Sequence, residues 1–155
     1  MKIVLTGGSS GGHFYPLVAV AESVRDISRE KKLIDPTIFF IGPTPYNEKV
    51  LFDNNIIYKK VPAGKLRMYF SIKNFIDFFV MGFGLIKGLW TMFWIYPDVV
   101  FSKGGHDSFP IIIAARILNV PIIIHESDSH PGRANLWAAK YADKIAVSYP
   151  EAAGH

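Results

Sequence analysis

Three short stretches place histidine beside glycine pairs or carboxylates: Gly11-Gly12-His13, Gly104-Gly105-His106-Asp107-Ser108 and His125-Glu126-Ser127-Asp128. Glycines leave backbone N–H groups unobstructed, and a following helix adds its positive end, so Gly7-Gly8-Ser9-Ser10-Gly11-Gly12 suits a phosphate or diphosphate. His13 comes directly after the last glycine, where the helix dipole opposes an added positive charge, and the position suits a proton acceptor. Gly104-Gly105, with His106 beside it, could grip a second phosphate, and Glu126 or Asp128 could hold a sugar hydroxyl or orient an imidazole. Each stretch has a plainer alternative: a tight turn without ligand, a packing histidine, ordinary loop polars, or a carboxylate that caps the next helix. The first loop lacks the acidic residue that dinucleotide sites carry at the end of the second strand, where this chain has Ile41-Gly42. It also lacks the Lys-Ser/Thr ending of a nucleotide-hydrolysing loop, so ATP hydrolysis is disfavoured.

The elements around these stretches alternate between strand and helix. Apolar runs at 2–6, 37–41, 56–61, 99–102, 121–125 and 144–148 read as strands. Helical patterns run from near Pro16 to the polar cluster ending at Lys32, then over 48–52, 72–95, 110–118 and 132–141. The expected fold is α/β: one domain over 1–155, with an open, mostly parallel sheet, helices on both faces and right-handed crossovers. The three candidate stretches then follow the first, fourth and fifth strands, and ligands of open α/β sheets gather at the carboxyl ends of strands.

Composition narrows the partners. The chain has no cysteine, which excludes disulfides and thiolate chemistry. It is basic, at +4, yet only 19% of its residues are charged. Its one local basic cluster, Arg29 to Lys32, is explained by a solvated helix end, so nucleic acid is not expected and anionic lipid or phosphate is the better partner. Met1 to Leu5 meets glycine too soon for a secretory leader.

The segment from Ile72 to Ile95 is unusually apolar. Lys73, Asp77, Lys87 and Thr91 fall with Gly84 and Gly88 on one narrow stripe. Phe75, Phe79 and Phe83 make an apolar stripe suited to docking on a sheet, and Phe78, Met81, Leu85 and Met92 add a second. The surplus suits a helix lying on an anionic membrane, with Phe78, Met81, Leu85 and Trp90 as contacts, Lys65, Arg67, Lys73 and Lys87 near headgroups, and Trp94 and Tyr96 at the interface. The competing reading is a buried core helix, or one covered by another domain.

Taken together, the chain resembles the N-terminal half of the MurG-type UDP-N-acetylglucosamine transferases. The resemblance rests on Gly7-Gly8-Ser9-Ser10-Gly11-Gly12-His13 with Tyr15-Pro16 and Ala19-Val20-Ala21, on Pro97-Asp98-Val99-Val100 leading into Gly104-Gly105, and on His125-Glu126 with Asn135 and Trp137. It implies the Rossmann-like half of a two-domain GT-B enzyme of peptidoglycan synthesis, at the cytoplasmic face of the bacterial inner membrane. Such an enzyme moves GlcNAc from UDP-GlcNAc to lipid I without a metal or other cofactor, and its UDP-sugar-binding C-terminal domain is absent from this sequence. By that pattern His13 is the base and Glu126 lies in the catalytic centre. Gly7, Gly8, Gly11, Gly12, Gly104, Gly105 and His106 receive the acceptor diphosphate, while Ser10, Gly11, Gly12 and Asp128 reach the donor. The chain departs from the family at Ser9-Ser10, usually glycine and threonine, at His106, usually tyrosine, and at Asp128, usually asparagine. A second expectation, of a different class, is a non-catalytic membrane subunit that recruits a separate GlcNAc-transferase chain.

Overall fold

A computed structural model describes residues 1–8, 10–64 and 72–154, without the side chains of 72–76, 153 and 154. Six parallel strands form one sheet: β1 (Lys2–Thr6), β2 (Thr37–Gly42), β3 (Ile57–Lys60), β4 (Val99–Ser102), β5 (Ile122–Glu126) and β6 (Lys144–Val147). Their order is β3-β2-β1-β4-β5-β6, so the chain builds outward from β1 on one side and then restarts beside it with β4. Register pairs Ile3 with Ile38 and with Val99. Doubly wound sheets of this order bind ligands in the crevice where the order reverses, here at the carboxyl ends of β1 and β4.

The helices are α1 (Gly11–Glu30), α2 (Glu48–Asp53), α3 (Ile72–Ile95), α4 (Phe109–Ile117) and α5 (Arg133–Ala139). Two cores result, because successive strand residues point to opposite faces. Leu5, Ile38 and Phe40 bury against Phe14, Leu17 and Val18 of α1 and Leu51 of α2. Val4, Val100, Ile122 and Ile124 bury with Met92 of α3 and Ile111 and Ile112 of α4.

Two expectations change. Helix α1 begins at Gly11, not near Pro16, because extended Ser10 turns its carbonyl into the helix and accepts from the His13 and Phe14 N–H groups. Pro16 therefore lies inside α1, where it withholds the N–H that would have reached the Gly12 carbonyl. The docking face of α3 also differs from the one expected. Gly84 and Gly88, assigned to the polar stripe, face the protein: a Cβ at Gly84 would collide with the Pro62 carbonyl, and one at Gly88 would stand 3.3 Å from the Pro110 oxygen. The helix docks through this small-residue face with Met92 fully buried, because it lies against backbone at Pro62 and Pro110, which only glycine admits closely. Phe79 and Phe83, expected to dock, are exposed.

Candidate functional site

The two glycine loops meet at the reversal point between β1 and β4. Gly7 has φ +96° and Gly104 has φ +87°, both in the left-handed region that favours glycine. A Cβ on Gly7 would come within 2.6 Å of the Gly104 carbonyl oxygen, and one on Gly104 would overlap the Asn135 side-chain amide. Gly8, at φ +93°, is packed on Phe14 and Leu17. Of these three glycines, all expected among the phosphate ligands, Gly7 and Gly104 pack where the two loops meet, and Gly8 packs its own loop on α1. The glycines left facing space are Gly12, with nothing within 4 Å of a Cβ, and Gly105, whose Cβ would find only His13 Nδ1, at 3.7 Å. Gly11 lies against the Tyr15 and Tyr46 rings. So the structure brings His13 and Gly12 of one loop to Gly105 of the other. Ser9 of this loop lies outside the described residues.

Glu126 is 5% exposed, and its carboxylate is bonded by its own loop and by α5. Oε1 accepts from the Asp128 N–H at 3.0 Å, and Oε2 accepts from the Gly132 N–H at 3.1 Å and from Asn135 Nδ2 at 2.8 Å. Asn135 in turn abuts Gly104, so Glu126 braces the third loop against the second. Of the two expectations for Glu126, a group of the catalytic centre or a cap for the next helix, these contacts match the second: Oε2 is bonded to the N–H of Gly132, which precedes α5. Burial pushes its carboxyl pKa up, but the donors from Asp128, Asn135, Gly132 and Ser127 outweigh burial and hold it below the ordinary value. A carboxyl lowered on folding adds stability that is complete above its unfolded pKa, about 4.3, and is lost as pH falls through the folded value. Glu126→Gln is expected to lower stability by about 2 kcal/mol at neutral pH, since its amide sets N–H against N–H. It should also flatten the acid limb of a melting-temperature profile against pH.

Lys103 is the residue that sequence reasoning passed over. It follows β4 directly, is 1% exposed, and its Nζ has no hydrogen-bond partner among the described residues. Burial lowers its pKa, and the nearby charges of Glu126 and Asp128 partly restore it. A buried ammonium without a partner is costly, and a bound anion would relieve that cost. The available signal was a lysine ending an otherwise apolar strand just before a glycine pair.

The other candidates are spread around this centre. His106 Nε2 lies 2.8 Å from Oδ1 of buried Asp107, in a short 3-10 turn (His106–Ser108) after Gly105. Ser10 and Asp128 are exposed. His125 points to the opposite face of β5 from Glu126, stacks near Phe101 and meets Ser148 Oγ at 3.1 Å. Burial first, then Lys103, lower its pKa against the opposing pull of Glu126.

The outer face of α3 is a continuous apolar ridge. Phe78 is 73% exposed and Trp90 64%, and Phe79, Phe83, Ile86 and Trp94 stand with them. Of Asp77–Ile95, a span long and apolar enough to cross a membrane, only 28% is buried, so α3 is not enclosed by the rest of this chain. Met81 and Leu85, expected among the membrane contacts, are half-buried; Met81 packs near Gly64. Lys65 and Arg67, and the side chains of Lys73 and Phe75, lie outside the described residues. Because Phe83 and Trp90 are mostly exposed, Phe83→Glu with Trp90→Glu is expected to change stability by under about 1 kcal/mol. The same change should reduce sedimentation with anionic vesicles at least tenfold, with a folded circular dichroism spectrum as the control.

Comparisons with known proteins place this geometry. Residues 3–147 match the model of the glycosyltransferase family 28 N-terminal domain. The chain is 40% identical over 151 residues to the UDP-N-acetylglucosamine--N-acetylmuramyl-(pentapeptide) pyrophosphoryl-undecaprenol N-acetylglucosamine transferase of Clostridium kluyveri, covering 97% of this chain and 41% of that protein. It is 42% identical, with the same coverage, to the transferase of that name from Lachnospira eligens. It thus spans about two fifths of the length of these curated relatives. Among solved structures, Acinetobacter baumannii MurG superposes with a TM-score of 0.78 at 22% identity, over 97% of this chain and 42% of that one. UDP-GlcNAc 2-epimerase from Methanocaldococcus jannaschii shares the fold at a TM-score of 0.60 and 15% identity, over 99% and 41%. With residues 3–147 matched by the family model, this chain belongs to glycosyltransferase family 28 and corresponds to its N-terminal domain.

Proposed function

We propose that this domain is the acceptor-binding, membrane-associating half of an inverting, metal-independent GT-B glycosyltransferase that moves GlcNAc from UDP-GlcNAc to lipid I, giving lipid II. The observation that carries the reading is the meeting of His13 with Gly105 at the sheet's reversal point, on a domain whose α3 presents an exposed apolar ridge. The relatives' names support it, since they describe GlcNAc transfer to a pyrophosphoryl-undecaprenol acceptor.

In this reading the ridge of α3 rests on the cytoplasmic face of the inner membrane, as a peripheral contact with anionic lipid. The acceptor diphosphate lies on the N–H groups of Gly11, Gly12 and Gly105, beside His106, with buried Lys103 supplying positive charge from beneath. His13 takes the proton from the acceptor hydroxyl as that oxygen attacks the anomeric carbon of GlcNAc from the face opposite UDP. The carbon–oxygen bond to UDP breaks and UDP leaves with the electron pair. Ser10, Gly11, Gly12 and Asp128 meet the donor, most of which belongs to a C-terminal domain. The subunit alternative is disfavoured because the relatives carry the named activity on one longer chain.

The test joins this chain to the C-terminal half of the Clostridium kluyveri relative and supplies radiolabelled UDP-GlcNAc with a lipid I analogue. Transfer is expected from the fusion and not from the 155-residue chain alone. Transfer by the chain alone would overturn the reading. So would an inert fusion that is folded and binds both substrates.

A further inference from the structure

A cavity of ≈ 630 Å³ opens between α3, the start of α4 and α5, beside the second glycine loop. Gly105, His106 and Ser108 line it from the loop, Phe109 and Trp137 from α4 and α5, and Met81 from α3. The Phe109 and Trp137 rings lie 4.4 Å apart, and Trp137 leans on Tyr141 at 5.1 Å, so the wall is a stacked aromatic surface. Its volume falls within the range of about 300–1,000 Å³ typical of small-molecule sites. Arg133, at the first turn of α5, also borders it.

The cavity has direction. At Gly105 it meets the loops assigned to the diphosphate, with His13 on that side, and at Met81 it meets the helix that bears the apolar ridge. An acceptor with its diphosphate on Gly12 and Gly105 and its sugar hydroxyl at His13 must send its lipid tail the other way. We propose that this cavity takes the first isoprene units of the polyprenyl chain, leading them from the diphosphate to the membrane face of α3. This rests on the diphosphate reading above. The aromatic and thioether wall, with its polar groups at the loop and at Arg133, matches an isoprenoid diphosphate: apolar and uncharged along its chain, anionic at one end. A peptide or a second sugar would need hydrogen-bonding groups along the wall.

The test titrates the 155-residue chain with inorganic diphosphate, farnesyl diphosphate and farnesol, following amide shifts and the Trp137 indole N–H resonance. Farnesyl diphosphate is expected to bind at least tenfold more tightly than inorganic diphosphate. Ala134→Phe, which fills the cavity, should erase that gain while leaving inorganic diphosphate binding unchanged. Met81→Gln, which makes the α3 side polar, should reduce the gain and serves if the first variant fails to fold. Equal affinity for the two diphosphates would overturn the tail assignment alone. So would a gain that survives in a folded Ala134→Phe or Met81→Gln variant, because the tail would then lie elsewhere on α3. Failure of inorganic diphosphate to bind or compete at all would instead remove the diphosphate reading on which the assignment rests.

Discussion

Gly104→Ala is expected to destabilise the domain by about 3 kcal/mol or more, the largest single effect on folding that the site predicts. Two penalties add. The backbone at φ +87° disfavours any side chain, and the new methyl group would occupy the space of the Asn135 amide. Asn135 cannot withdraw freely, because its Nδ2 donates to Glu126 in a buried contact. Gly12→Ala is the matched control. A Cβ there meets nothing within 4 Å and the residue lies in the first turn of α1, so stability should hold or rise by up to about 1 kcal/mol. Anion binding should nonetheless weaken, since the methyl group enters the space assigned to the diphosphate. Urea unfolding of both variants, with a diphosphate titration of each, separates a glycine that packs from one that receives a ligand.

His13→Ala should lower turnover of the full enzyme by about 10²- to 10⁴-fold, the usual contribution of a positioned general base. Acceptor binding should stay within about twofold, because the imidazole meets the acceptor at a hydroxyl and not at its diphosphate. Folding should be nearly unaffected: the ring is half-buried and reaches across to a glycine that offers no side chain for it to pack on. A loss confined to KM would make His13 a binding residue, and a loss of stability would make it a structural one. Steady-state kinetics with a lipid I analogue distinguishes these outcomes.

Much of the architecture was legible because parallel strands buried on both faces read as short apolar runs ended by glycine or proline. All six strands fall where those runs lie. The meeting of the loops after β1 and β4 was also visible as a consequence of the α/β alternation. Pro16 misled because proline is usual in a first helical turn, whereas here the Ser10 carbonyl starts the helix five residues earlier. The orientation of α3 was not legible, since two apolar stripes compete for the protein and only the approach of Pro62 and Pro110 backbone decides that glycine faces inward. Roles within the loops were hidden for a related reason. Gly7, Gly104 and Gly12 look alike in a sequence, and the difference between packing against a carbonyl and facing open space is tertiary. Glu126 presents the same problem, because a carboxylate at a strand end carries no mark of whether its partners are a substrate or donors from its own loop and the following helix.

The central claim is that the interlocked loops at the reversal point form the acceptor-diphosphate site. Its most direct test is an amide chemical-shift titration of the isotope-labelled domain with a soluble, short-chain prenyl diphosphate sugar. The account predicts saturable shifts centred on Gly11, Gly12, Gly105 and His106, with smaller ones at Lys103 and little change at Lys59 and Lys60 of β3 on the sheet's far edge. Saturable shifts centred elsewhere, with those four amides unmoved, would contradict it.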